Sequence, residues 1–328
     1  MKNRHLRIVT SLALSSMIAT SIAGQPLTWP AAASIEIPQS TGKFDFLRID
    51  AKRHRLLAAH ENDGTADYFD LQKKKLIARV KLGGAVDTAV NSDSSTYYVS
   101  VQEAKRVAVI DAASLKETAS IQTPGPTDAI LYQPNNHLVY VTHDDGQHVW
   151  VIDPAKLKIV ATVDIPGVPE YMVYDEATNR IYLNIKDKGV VAVIDSSSNK
   201  VVEQWPTAPA TLPHGLAFDA ARKLLYSSGG NGKLVAMDTQ SGKVTASVDI
   251  TPKVDQIAFD SVGGLIYCAG PAVMSVVRTS GVALTLVGEL PTAATAKNVA
   301  VDSATRAVWT TYTDGKSSFA KAWLPPQP

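Results

Sequence analysis

A repeat constrains this chain more than any other feature. Seven segments share one pattern: DFLRIDAKRHRLLAA from Asp45, DTAVNSDSSTYYVSV from Asp87, DAILYQPNNHLVYVT from Asp128, EYMVYDEATNRIYLN from Glu170, HGLAFDAARKLLYSS from His214, DQIAFDSVGGLIYCA from Asp255 and KNVAVDSATRAVWTT from Lys297. Their starts are 42, 41, 42, 44, 41 and 42 residues apart. A near-constant period of this length means that one supersecondary unit is copied along the chain. Each copy has an apolar run, a polar turn, a second run such as LVYV or LIYC, and a third run ending in Asp (Asp70, Asp111, Asp153, Asp195, Asp238). A turn rich in Ser, Lys or Gly then leads to a fourth run, such as IVATVDIP. Four short β-rich runs divided by turns make an antiparallel meander. No stretch of useful length shows a 3.6-residue period.

A single meander of this kind is apolar on both faces and cannot stand alone. Seven packed face to face around an axis bury both faces. The expected fold is therefore all-β, a seven-bladed propeller of four-stranded antiparallel blades, forming one domain over residues 34–326. The seventh repeat runs out after three strands, near Ala322. Ala33–Pro38 (ASIEIP) matches the fourth strand of repeat three, Ala161–Pro166 (ATVDIP), so this N-terminal segment is expected to complete the last blade and cover its open edge.

The runs LVYVTHDDGQHVWVID and RIYLNIKDKGVVAVID resemble the YVTN repeats of exported bacterial and archaeal seven-bladed propellers. The resemblance spans about Ser34 to Pro325 and is strongest in repeats two to five. It departs in repeat six, where SVVRTSG stands in place of VxVIDxxxG, and repeat seven is truncated. It implies the fold and an exported location. It implies little about activity, because such propellers serve as enzymes, binding proteins and surface proteins.

The start of the chain agrees with export. Lys2, Arg4 and Arg7 precede a mostly apolar stretch from Ile8 to Ile22, and Ser21-Ile22-Ala23 and Ala31-Ala32-Ala33 offer two cleavage sites. Residues 1–33 read as a signal peptide and short leader, which predicts a periplasmic or secreted protein with no membrane span in the mature chain. With one cysteine, Cys268, no internal disulfide can form, and a buried core thiol is expected there. Thirty-two basic and 31 acidic residues give a net charge of +1, so no nucleic-acid partner is expected. The chain is expected to be a monomer.

In a propeller, the first strand of each blade lines the axis and its first residue sits at one mouth of the central channel. The repeat starts Asp45, Asp87, Asp128, Glu170, His214, Asp255 and Lys297 should ring that mouth. Repeat two has a turn one residue shorter, so Val86 could displace Asp87. The loops between second and third strands open on the same face. They add His60-Glu61-Asn62-Asp63, Gln102-Glu103, His143-Asp144-Asp145 with His148, and Lys186-Asp187-Lys188. His60, His143 and His214 are expected to converge there.

Clustered carboxylates raise one another's pKa and favour a cation or a proton. Three readings stay open: a solvated rim, a site for a small-molecule ligand or protein partner, and a divalent metal held by His143, Glu170, His214 and Asp255. The enzymatic alternative is a metal-assisted lactonase, lyase or epimerase at the same mouth. No motif such as HExxH, CxxC or GxSxG fixes a chemistry. The third-strand aspartates read as turn acceptors, and Tyr98, Tyr140, Tyr182 and Tyr226 read as packing between blades.

Overall fold

A computed structural model describes residues 25–326. Six consecutive sheets, each of four antiparallel strands, form blades 1 to 6 over residues 47–81, 85–122, 127–164, 169–206, 213–249 and 256–291. Blade 7 takes three strands from residues 300–323 and its outermost strand from Ala31–Ile37. The innermost strands of neighbouring blades pack on one another around the whole ring, blade 7 against blade 1 included. This is a seven-bladed β-propeller, as the repeat predicts. Among the described residues no helix is long and apolar enough to cross a membrane.

The closing strand begins two residues earlier than expected. Ala33 to Ile37 pair with Ala322 to Ser318, and Ala31 pairs with Trp323. Ile35 and Ile37 turn into the core, 7% and 0% exposed. Burying two such side chains contributes about 1.5–3 kcal/mol each. Upstream, residues 25–30 lie along blade 6. The Glu289 amide donates to the Gln25 carbonyl at 2.9 Å, and the Leu27 amide donates to the Glu289 carbonyl at 2.7 Å. Trp29 meets Tyr267 edge-on at 6.0 Å. The signal-peptide reading for residues 1–24 lies outside the described residues.

The recurring tyrosines hold blade to blade. The Tyr140 hydroxyl donates to the blade 4 residue Asn199 at 2.7 Å, and that of Tyr226 meets Thr279 of blade 6 at 3.0 Å. Tyr98 stacks on Tyr132 of blade 3, and Tyr182 packs on Phe218 of blade 5. Cys268 is buried in blade 6. The third-strand aspartates accept from the turns that follow: Lys73 donates to Asp70, Ser114 to Asp111 and Ser241 to Asp238, each through its amide at 2.7 Å.

Bulges shape the mouth. The pairing of first and second strands slips between Thr127 and Ile130, Pro169 and Met172, and Pro213 and Leu216. Such slips bend a strand end and re-aim its side chains. The residues inside these three slips include Asp128, Glu170 and His214, the expected mouth residues.

Candidate functional site: an acidic cup on the propeller axis

Asp45, Asp128, Glu170, His214, Asp255 and Lys297 line one polar cavity of about 190 Å³ at the channel mouth. They come from six blades. The loops between second and third strands supply Glu61, Gln102, Asp144, Asp145 and Lys186 to the same walls, and Lys43 enters from the segment before blade 1. Seven carboxylates thus face three lysines and one histidine.

The lysines neutralise part of the ring. Lys186 Nζ lies 2.6 Å from Glu170 Oε1, and His214 Nε2 lies 3.6 Å from the same oxygen. His214 is oriented by its Nδ1, 2.8 Å from the Leu212 carbonyl. Lys297 pairs with Asp255 and stands 3.9 Å from Asp45, while Lys43 pairs with Glu61 at 2.6 Å. The Gln102 amide donates to Asp144 at 2.6 Å.

Asp128 is different. Burial pushes its carboxyl well above the usual carboxylate range, and the charges of Asp45, Glu170, Asp144 and Asp87 push it the same way. No ion pair reaches it among the described residues, although its charge helps to hold Lys186 protonated. Burial also lifts Asp45 to about 7, against the pull of Lys297 and with a further push from Asp255. Glu170 is raised by burial despite His214 and Lys186, and Asp144 is raised by burial and by Asp145. Lys186 and Lys297 are held above the ordinary lysine value by their carboxylates, although burial opposes this. The cup is therefore short of positive charge.

Aromatic side chains pack at the base of the cavity, which Phe46 lines. Phe46 of blade 1 and Tyr171 of blade 4 stack at 4.8 Å, both nearly buried. Arg48 lies 5.5 Å over the Tyr171 ring and pairs with Asp87 at 3.1 Å. Gln256 braces this layer by accepting from the Leu47 amide at 3.1 Å and donating to its carbonyl at 2.9 Å. The mouth is thus a cup with an aromatic floor.

Three expected residues are elsewhere. Asp87 sits one layer down, in the floor, because the shorter turn of repeat two puts Val86 at the mouth position: Ala85 pairs with Val101 as Thr127 pairs with His143. Buried there, Asp87 accepts from Arg48 and from the Thr88 and Ile130 amides. His60 is fully buried inside blade 1. Its Nδ1 is 2.8 Å from Asp67, its Nε2 is 3.1 Å from the Gly42 carbonyl, and its ring stacks on Phe44 at 3.7 Å. His143 turns into blade 3, 4.8 Å from Trp150 and 6.1 Å from His148. Gly125 and Gly146 make room for it, since a Cβ on either would collide with its ring. Burial and His148 hold its pKa below the ordinary histidine value.

Both displaced histidines follow one rule. Asp67 and Trp150 occupy the same third-strand position in blades 1 and 3, where blades 2 and 4 have Ala108 and Ala192. Each large or charged side chain there draws its histidine inward. A buried Asp or Trp at an otherwise small position is the sequence signal that marks them.

The expected metal set does not assemble. His143 is turned away, Asp255 is engaged by Lys297, and Glu170 by Lys186. Among the described residues no group of three or more His, Cys, Asp or Glu side chains is arranged to hold an ion.

No protein-family model and no curated protein sequence matches the chain. Solved structures do. A chain of hydrazine synthase from Kuenenia stuttgartiensis superposes with a TM-score of 0.75 at 15% identity, covering 87% of this chain and 96% of that one. A chain of the mitotic checkpoint complex gives 0.78 at 11% identity, covering 99% and 100%. U3-55K gives 0.77 at 10% identity, covering 90% and 100%. At these identities the likeness establishes the fold alone. The YVTN resemblance rests on the sequence runs that suggested it.

Proposed function

We propose that this protein is an exported binding propeller whose axial cup takes a positively charged amino or guanidino group, presented by a small molecule or by a protein partner. The observation that carries this reading is Asp128, a partly buried carboxyl crowded by like charge that no lysine or arginine among the described residues pairs within 4 Å. A carboxylate in that position is costly until a cation pairs with it. An ammonium placed between Asp128 and Asp45 would make charge-assisted hydrogen bonds worth about 1.5–3 kcal/mol each. The cavity, about 190 Å³, suits one such group rather than a large ligand. Two proteins of similar fold belong to a mitotic checkpoint complex and to hydrazine synthase. The cup's lack of a metal ligand set favours binding over the metal-assisted lactonase, lyase or epimerase.

Calorimetric titration with n-butylammonium at pH 8 tests the reading. Binding to the native protein is expected, with at least a tenfold loss in Asp128→Asn and an unchanged circular dichroism spectrum. Equal affinity in the two proteins would refute it.

Export is part of the same reading. Residues 25–30 pack on blade 6 and Ala31–Ile37 complete blade 7, which favours cleavage after Ala23 over the Ala31-Ala32-Ala33 site. N-terminal sequencing of protein recovered from periplasm or medium should begin near Gly24. A start at Ser34, or an intact Met1, would contradict this.

A further inference from the structure

A cavity of about 300 Å³ opens at the seam of blades 7 and 1, beside the turn that follows Asp70 and so at the end away from the cup. Ala33, Leu71, Ala307, Trp309 and Leu324 give it apolar walls, and Lys74 and Asp302 also line it. Trp309 lies twelve residues after its repeat start, as Tyr140 and Tyr226 do in blades 3 and 5. Those tyrosine hydroxyls meet Asn199 and Thr279, polar side chains at or just past the end of the next blade's third strand. The same place in blade 1 holds Leu71 and Lys74. Leu71 has no polar side-chain atom, and the Lys74 ammonium is itself a donor, already bonded to the Ala32 carbonyl at 2.9 Å. Neither side chain can accept from an indole. Trp309 is 3% exposed, and its Nε1–H has no partner among the described residues. A buried donor left unpaired carries the full cost of its lost hydration.

We propose that this cavity binds a small neutral organic molecule with an apolar body and one acceptor oxygen, as in a ketone, ester or ether, to which the Trp309 indole donates. Apolar walls with a single placed polar group are the usual makeup of a small-molecule site, and the volume is at the lower end of the range for such sites, about 300–1,000 Å³. The polar groups decide the ligand's charge. Asp302, 4% exposed, accepts from the Ala304 amide at 3.1 Å and from the Thr305 hydroxyl at 2.6 Å, so its carboxylate is held in place. An anion taken down to the indole would be desolvated against one neutral donor, with that carboxylate lining the same cavity. An ammonium has no lone pair with which to accept the N–H. A neutral carbonyl or ether oxygen satisfies the indole without either penalty. The cavity shares no lining residue with the cup, so the two sites are independent.

Three probes of similar shape test this on the whole protein at pH 7: acetophenone, ethylbenzene and benzoate. In the NMR spectrum of the native protein, acetophenone should move the Trp309 indole N–H resonance downfield, saturably, relative to its position with ethylbenzene. Trp309→Phe keeps an aromatic ring and removes the donor. It should lower the ratio of acetophenone to ethylbenzene affinity by about fivefold or more, with an unchanged circular dichroism spectrum. Benzoate should bind the native protein more weakly than acetophenone by about tenfold or more. An indole resonance that responds alike to acetophenone and ethylbenzene would overturn the proposal, as would an unchanged affinity ratio in the folded variant. Benzoate binding as tightly as acetophenone would overturn the neutral ligand class, and no binding of acetophenone would overturn the site. Should Trp309→Phe fail to fold, the resonance in the native protein decides alone.

Discussion

The two rims of the disc use the same residue type in opposite ways. On the face away from the cup, Asp70, Asp111, Asp153, Asp195 and Asp238 cap turns, and hydrogen bonds from those turns hold their carboxyls below the usual range. On the cup face, Asp45, Asp128, Asp144 and Glu170 are pushed above it by burial and crowding. A carboxylate that its surroundings stabilise has no need of a ligand. One that its surroundings destabilise gains from any cation that arrives. The difference separates architecture from site without reference to any other protein.

The largest effect should come from removing the ring on which both rims depend. Deleting residues 25–37 strips the outer strand from blade 7, removes the buried Ile35 and Ile37, and leaves the apolar face they covered and a row of unpaired backbone groups along Ser318–Trp323 exposed. The loss should be at least several kcal/mol, read as a collapse of the thermal transition or as insoluble protein. A melting temperature within a few degrees of the native value would show that the ring does not need this strand.

Next is the pH dependence of the cup. Asp45 has a folded pKa near 7 against an ordinary value of 3.8, so between these values the folded protein holds more protons than the unfolded one. Stability should therefore fall as pH rises from about 4 to about 7, and level off above. Asp45→Asn cannot ionise and should recover on the order of 1–3 kcal/mol at pH 8, with little change at pH 4. Denaturant titrations across this range would measure it, and an unchanged pH slope in the variant would remove Asp45 from the account.

The far rim should show the opposite sign and a smaller size. Asp195 accepts from the Ser197 amide at 2.9 Å and the Ser198 hydroxyl at 2.8 Å. Its folded pKa is depressed, so its contribution is present above the ordinary carboxylate value and is lost as pH falls through the lower folded one. Asp195→Ala should cost about 0.5–1.5 kcal/mol near neutral pH, less in acid, and leave n-butylammonium binding as it was. A loss of binding in this variant would break the division between the rims.

Much of this was legible in the sequence. The period, the order of runs within it and the match of ASIEIP to ATVDIP foretell seven blades and their closure, because a repeat that cannot bury its own faces has few ways to pack. Six of the nine proposed mouth residues line the cup for the same reason: equivalent positions in a ring converge. The failures have local causes. Asp87 depended on a turn one residue short, which moves a strand's register but not its pattern. His60 and His143 end the correct strands, yet a strand end does not state where its side chain points, and Asp67 and Trp150 decided that. Lys43 was missed because it precedes the repeat pattern, although its partner Glu61 lies in the blade that follows it. The Phe46–Tyr171 floor with Arg48 above its ring was missed because its contacts cross the axis between distant blades. No spacing along the chain records that proximity.

The central claim is that the cup holds protons where it is built to hold a cation. It is tested most directly by counting protons released when n-butylammonium binds at pH 7, from calorimetry in two buffers of different ionisation enthalpy. The account predicts a net release from Asp45 and Asp128 that disappears in the Asp45→Asn, Asp128→Asn double variant together with tight binding. Binding with no proton release, or release that persists in the double variant, would contradict it.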